Sequence, residues 1–206
     1  MIEIATAALR EFEANSAIEL IAVALAIAYL ILAVKQNIAC WYAAFISTSL
    51  FLFVFWQVQL YMESGLQVFY LVMAVSGWWL WQKPTDDSVM QNKRRPVRTW
   101  RINQHIAAIV FIAAATLVSG YLLADTSQRL PYLDSFTTWA SVLTTIMVAR
   151  KILENWIYWF VIDTVSIYLY LDRELYFTAG LFALYLVIIC FGYRSWRQDY
   201  IATQLA

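Results

Sequence analysis

A single acid stands in the middle of a long apolar run. In ENWIYWFVIDTVSIYLYLD, residues 154–172, Asp163 lies nine residues from Glu154 and nine from Asp172. In a helix that is ~13 Å either way at ~1.5 Å per residue, close to the midplane of a ~30 Å hydrocarbon core. No Lys or Arg occurs between Lys151 and Arg173, so the run brings no counter-ion of its own. A carboxylate at that depth costs at least ~2.5–3.5 kcal/mol, which makes a functional site its default reading. Trp156, Trp159 and Asp163 follow at i, i+3 and i+7 and share one helical face, an aromatic and anionic wall that suits a substrate or a cation. The competing role for Asp163 is that of a protonated structural acid, hydrogen-bonded to a Tyr or Thr of a neighbouring helix.

The rest of the chain must place that wall inside a bilayer. It is 63% hydrophobic, 17% aromatic and 14% charged over 206 residues, the composition of an all-α, polytopic membrane protein. Seven apolar runs are long enough to span: 17–34, 39–61, 65–81, 104–123, 133–149, 156–171 and 176–193. Residues 1–16 are polar and lack a cleavable-signal pattern, so the first span is expected to direct insertion. Placing the basic loop 83–103 in the cytoplasm puts eleven of the fourteen Lys and Arg inside and leaves Arg10, Arg129 and Arg173 outside. That positive-inside bias puts the N-terminus outside and the 198–206 tail in the cytoplasm. No nucleic-acid partner is expected of the basic loop. Cys40 and Cys190 read as small packing residues, not as a disulfide or metal pair.

The chain repeats itself. A shift of 115 residues lays 40–82 over 155–197 without gaps and pairs Trp41 with Trp156, Tyr70 with Tyr185 and Trp81 with Trp196. Gly65 pairs with Gly180 and Gly77 with Gly192, so four of the chain's five glycines fall into register. Residues 17–82 and 132–197 are therefore expected to be two three-helix repeats. A connector helix and outer loop, 104–131, follow the basic loop and join them. A single connector makes the repeats parallel, related by an axis along the membrane normal, with substrate held near the midplane between them. Asp163 then faces Thr48 and Trp159 faces Ala44, so one half supplies charge and ring surface and the other a small wall with the hydroxyls of Ser47, Thr48 and Ser49. Gln57, at the position of Asp172, and Gln67 are polar groups in apolar helices, suited to a ligand, an outer vestibule or helix–helix hydrogen bonds. Gly65, Gly77, Gly180 and Gly192 are candidate hinge and close-packing sites. His105 reads as a satisfied interfacial histidine, and Glu19 and Asp134 as acids at helix ends within reach of water.

Enzyme chemistry finds no support. H-E-x-x-H, G-x-S-x-G and phosphate-loop patterns are absent, as are paired intramembrane aspartates, and nothing calls for a metal or a cofactor. A retinal protein needs a lysine in a helix core, and Lys35, Lys83, Lys93 and Lys151 all lie outside the spans.

WQVQLY at 56–61, QVFY and GWWLW within 67–81 and, above all, ENWIYWFVID at 154–163 resemble the PnuC family of bacterial vitamin transporters. The last stretch is similar to that family's W-x-x-W-x-x-x-[N/D] signature, filled by Trp156, Trp159 and Asp163. The resemblance covers nearly the whole chain. It implies a three-plus-one-plus-three fold like full-length SWEET transporters, a homotrimer in the cytoplasmic membrane, and substrate contacts from Trp159, Asp163 and Trp156, to which the repeat adds Thr48, Ser47 and Gln57 as candidate contacts. It further implies facilitated diffusion of an unphosphorylated B-vitamin compound that a cytoplasmic kinase then traps. Nicotinamide riboside members carry asparagines where this chain has Asp163, Ser47, Ala74 and Phe191. An acid suits a cation with donor groups, so thiamine is favoured over nicotinamide riboside. Proton-coupled import through Asp163 and a vitamin sensor that moves nothing are the remaining alternatives.

Overall fold

Runs of Ala, Ile, Leu, Val and Phe with few glycines or prolines give the backbone one way to satisfy its hydrogen bonds in apolar surroundings, the helix. The computed structural model, which describes residues 17–57, 61–83, 95–124 and 130–205, contains seven. They are α1 (Ala17–Val34), α2 (Cys40–Gln57), α3 (Tyr61–Gln82), α4 (Ile102–Leu123), α5 (Pro131–Ala149), α6 (Asn155–Asp172) and α7 (Tyr176–Gln204). Among the described residues no strand occurs; one isolated parallel bridge joins Arg98 to Ile152. Helix α7 runs to Gln204, so most of the segment expected as a tail is helical.

Adding 115 to the bounds of α2 gives those of α6, and the starts of α3 and α7 stand in the same relation. The turns correspond as well. Gln36 and Lys151, 115 apart, both take the left-handed conformation, at φ 49° and 55°. Each lets the next amide reach back over the helix end, Asn37 N–H to Leu32 O at 2.9 Å and Ile152 N–H to Met147 O at 3.0 Å. These 6→1 bonds satisfy orphan carbonyls and reverse the chain within a few residues, so α2 and α6 run back along α1 and α5.

Helix α2 packs between α1 and α3, and α6 between α5 and α7; α1 against α7 and α3 against α5 join the two triplets. Helix α4 lies on α5 at the periphery. At 22 residues α4 is long and apolar enough to cross a bilayer by itself, as is α7. The five others hold 18 to 22 residues, or roughly 27–33 Å of helix, about the thickness of a hydrocarbon core. Ile106, Ile109, Val110, Leu117, Val118 and Leu122 of α4 point outward, whereas Ser47, Ser64, Ser135, Thr144 and Asn155 are buried. Apolar outside and hydroxyl inside is the arrangement lipid requires.

The best-packed part of the core lies at the end where α1, α3 and α5 stop and α2 and α6 begin. Trp41 stands edge-on to Trp81 at 5.3 Å, Trp156 edge-on to Trp196 at 5.5 Å, and Trp81 meets Trp196 at 6.2 Å. Two glycines make room. A Cβ on Gly77 would come within 2.3 Å of the ring of Trp41, and one on Gly192 within 2.5 Å of that of Trp156. At Gly65 and Gly180 a Cβ would meet nothing within 4 Å, so the close approach expected of all four glycines exists at two.

Candidate functional site

A cavity of about 480 Å³ lies between the triplets, above the tryptophan cluster. That is within the usual range for a small-molecule site. Helix α6 presents Trp159, Asp163, Ser166 and Tyr170 to it, a stripe with steps of four, three and four residues. Helix α2 presents Ala44, Thr48, Phe51 and Phe55, the same positions 115 residues earlier. Tyr70 of α3 and Tyr185 of α7 enter from the flanks, and Ser141 and Thr145 of α5 complete the wall. Ser141 is within hydrogen-bonding reach of Tyr70, which ties α5 to α3 beside the cavity.

Asp163 is 3% exposed, and no described residue hydrogen-bonds or ion-pairs with its carboxyl. Trp159 lies one turn along α6 toward the tryptophan cluster and lines the same space. A bare acid with an aromatic ring on its own face is an incomplete polar site. The ligand that completes it brings positive charge or N–H donors, with a flat ring for Trp159.

The other expected contacts divide. Thr48 lines the cavity and makes no hydrogen bond to a described residue, so its hydroxyl is free for a ligand. Ser47 also lines it, but its hydroxyl donates to the carbonyl of Ala22 at 2.7 Å, which leaves only acceptor capacity. Trp156 is not part of the lining. It sits a turn nearer the cluster, where its ring fills the notch at Gly192, and its indole N–H is buried without a partner. Its counterpart Trp41 does reach the wall. Gln67 lines the cavity, while Gln57 ends α2 with its side chain outside the described residues. Of the positions compared with family asparagines, Ser47 and Ala74 face the cavity; Phe191 is 60% exposed on the outer surface of α7 and cannot touch a ligand there. His105 has its partners, with Nδ1 2.9 Å from the Tyr158 hydroxyl and Nε2 3.9 Å from Glu154. Cys40 and Cys190 are both free, the first buried and the second exposed. Among the described residues no cluster of His, Cys, Asp or Glu could hold a metal.

Sequence reasoning missed the tyrosines and the mouth. Tyr70 and Tyr185 are repeat partners, and that identity between two otherwise different walls was the available signal. Asp134 was read as a solvated helix-end acid, yet it lines the cavity's far end and pairs with Arg173. No spacing rule links residues 39 apart on different helices.

Residues 16–198 match the nicotinamide mononucleotide transporter family. The chain is 24% identical over 189 residues to the nicotinamide riboside transporter PnuC of Escherichia coli (strain K12), covering 80% of this chain and 78% of that protein. It is 24% identical over 170 residues to the riboflavin/roseoflavin transporter RibM of Streptomyces davaonensis, covering 81% and 78%. Its fold superposes on a crystal structure of the vitamin B3 transporter PnuC with a TM-score of 0.72 at 19% identity, over 97% of this chain and 88% of that one.

Proposed function

Because the chain belongs to the nicotinamide mononucleotide transporter family, that of PnuC, and is not an enzyme, we propose that it imports an unphosphorylated B-vitamin compound by facilitated diffusion. The observation that carries the substrate reading is the buried, unpartnered carboxyl of Asp163 beside Trp159 in the cavity between the triplets. Thiamine fits it best: its thiazolium ring offers charge and a stacking face, and its aminopyrimidine offers donors. Substrate enters at the Asp134–Arg173 mouth, loses water against Trp159 and the tyrosines, and meets Asp163. A cytoplasmic kinase then traps it, so that no coupling ion is needed.

The architecture we propose is two parallel three-helix repeats, 17–82 and 132–197, with α4 as connector, in the layout of full-length SWEET transporters. The matching helix bounds, the paired turns at Gln36 and Lys151, and the exchange of α1–α7 for α3–α5 contacts all support it. The tryptophan end carries Lys35, Lys83, Arg95, Arg98, Arg150 and Lys151, so we place it in the cytoplasm of a bacterial inner-membrane protein, as a homotrimer.

A second reading, nicotinamide riboside uptake, is favoured by the name of the PnuC relative. Tryptophan fluorescence of the purified protein separates the two when thiamine, nicotinamide riboside and riboflavin are titrated in parallel. Quenching by thiamine alone is expected. Quenching by nicotinamide riboside alone would overturn the thiamine assignment and leave vitamin transport standing. Flux of the quenching compound into sealed vesicles is the companion assay, because a sensor would bind it and move nothing.

A further inference from the structure

Apart from the Ser141–Tyr70 contact beside the cavity, the hydrogen bonds described between the two triplets gather at the tryptophan end. Trp196 Nε1 donates to Ala33 O at 2.9 Å, and its counterpart Trp81 Nε1 donates to Val148 O at 3.4 Å. Ser195 adds a bond to Val34 O at 3.2 Å. At the mouth, by contrast, the Asp134–Arg173 pair joins α5 to the end of α6 and stays within one triplet.

Over this seam lies a lysine that the transport mechanism has not used. Lys151 is 2% exposed, and its ammonium donates to Gln36 Oε1 at 2.9 Å and to the carbonyl of Arg95 at 3.1 Å. It also stands 4.6 Å from the ring centroid of Trp81. Gln36 and Trp81 belong to the first triplet and Lys151 to the second, so parting the triplets here takes the Gln36 carbonyl and the Trp81 ring away from a buried charge. Residues 95–101 lie across the same seam as a strap. Arg95 donates to Leu80 O at 3.3 Å, Arg98 N–H to Lys151 O at 2.9 Å, and Trp100 N–H to Glu154 at 3.3 Å. Val97 beneath them is buried.

We infer that Lys151 and the 95–101 strap are the latch of the cytoplasmic gate. The cavity opens inward when Lys151 leaves Gln36 and the Arg95 carbonyl and the Trp81–Trp196 contact parts. This rests on the transport reading above and gives Lys151 a positioning role, since it lies outside the cavity lining.

Cys40 is a native reporter, fully buried within the same cluster, and Cys190→Ser leaves it as the single thiol. In inside-out vesicles without substrate, a membrane-impermeant maleimide should label Cys40 at least ~10-fold faster in Lys151→Met, the population shift expected from losing hydrogen bonds to a buried charge. Gln36→Leu removes one of the bonds to the Lys151 ammonium, should raise the rate by a smaller factor, and serves if Lys151→Met fails to fold. Thr137→Cys near the mouth, in a chain lacking both native thiols, is labelled from outside as the control. Inward opening should slow that reaction, whereas a merely loosened protein would label faster at both ends. An unchanged Cys40 rate in both variants, or a rise at both ends together, overturns the latch. Reciprocal labelling in a protein that carries no vitamin would instead keep the latch and overturn the transport reading.

Discussion

The two triplets present the same positions to the cavity and fill them differently. Ala44, Thr48, Phe51 and Phe55 of α2 meet Trp159, Asp163, Ser166 and Tyr170 of α6, position for position. Leu30 answers Thr145, and Ala26 answers Ser141. At the tryptophan end the correspondence is instead near-identity: Trp41 and Trp156, Trp81 and Trp196, Gly77 and Gly192, with matching hydrogen bonds to Ala33 and Val148. Likeness is kept where the halves must fit each other and at the flanking Tyr70 and Tyr185, and difference appears along the α2 and α6 stripes that face a ligand. A small asymmetric molecule has one charged end, so one bare carboxylate is enough; a second at Thr48 would face the first across the cavity and repel it.

The sharpest way to break that comparison is at Asp163 and its counterpart Thr48. Asp163→Asn removes charge and keeps shape, and hydrogen bonds to charged groups contribute ~1.5–3 kcal/mol, so thiamine uptake should fall about 10- to 100-fold. Thr48→Val, at the equivalent position, removes a neutral bond contributing ~0.5–1.5 kcal/mol and should cost about 10-fold at most. Initial uptake rates in proteoliposomes measure both. Equal losses would mean that the two walls share the work.

The tryptophan end tests likeness instead. Gly77→Ala and Gly192→Ala each drive a methyl into an indole ring, and overpacking of this kind costs ~1–3 kcal/mol. Both should lower the melting temperature in detergent by similar amounts. Gly65→Ala and Gly180→Ala put the methyl into open space inside a helix and should be neutral or stabilising by up to ~1 kcal/mol. If all four behave alike, the glycines are there for bending and not for the rings.

Much of this was legible beforehand, and the reasons differ by region. The spans were legible because a bilayer admits few alternatives to long apolar helices. The 115-residue register was legible because glycines are scarce here, so a double coincidence has weight. Asp163 stood out because its environment makes its type expensive. Trp156 was misread as wall because periodicity gives direction around a helix and not what lies opposite: at its depth α6 faces Gly192 instead of the cavity. Phe191 came from the family comparison and not from periodicity, and it lies on a face turned outward. Lys151 was placed outside the spans, but nothing in its neighbours signals that residues 95–101 fold back to bury it; that depends on a bridge between segments more than fifty residues apart.

Trp159 and Ala44 sharpen the contrast on a smaller scale. A ring stacked with a cationic heterocycle contributes ~0.5–2 kcal/mol, so Trp159→Leu should weaken thiamine binding by about 2- to 30-fold. Ala44→Leu adds bulk opposite and tests room, not stacking. Trp156→Leu should leave the affinity nearly unchanged while lowering stability, because its ring packs against Trp196 and not against the cavity. Isothermal titration beside a thermal melt separates the two tryptophans.

The smallest effect is expected at the mouth, at the ion pair of the second triplet. Asp134 and Arg173 pair in the second triplet; at the corresponding positions the sequence of the first has Glu19 and Val58. Their side chains are 23% and 37% exposed, and pairs so open to water are worth ~0–1 kcal/mol. Asp134→Asn should therefore change stability little and alter thiamine uptake by no more than about 5-fold. The direction is informative. Losing the acid leaves Arg173 at the entrance, which repels a cation, so uptake should fall at low salt and recover as ~0.5 M salt screens the charge. Uptake that falls equally at both ionic strengths would make the pair a structural clamp on the α5–α6 corner, and the mouth would then contribute nothing to selection.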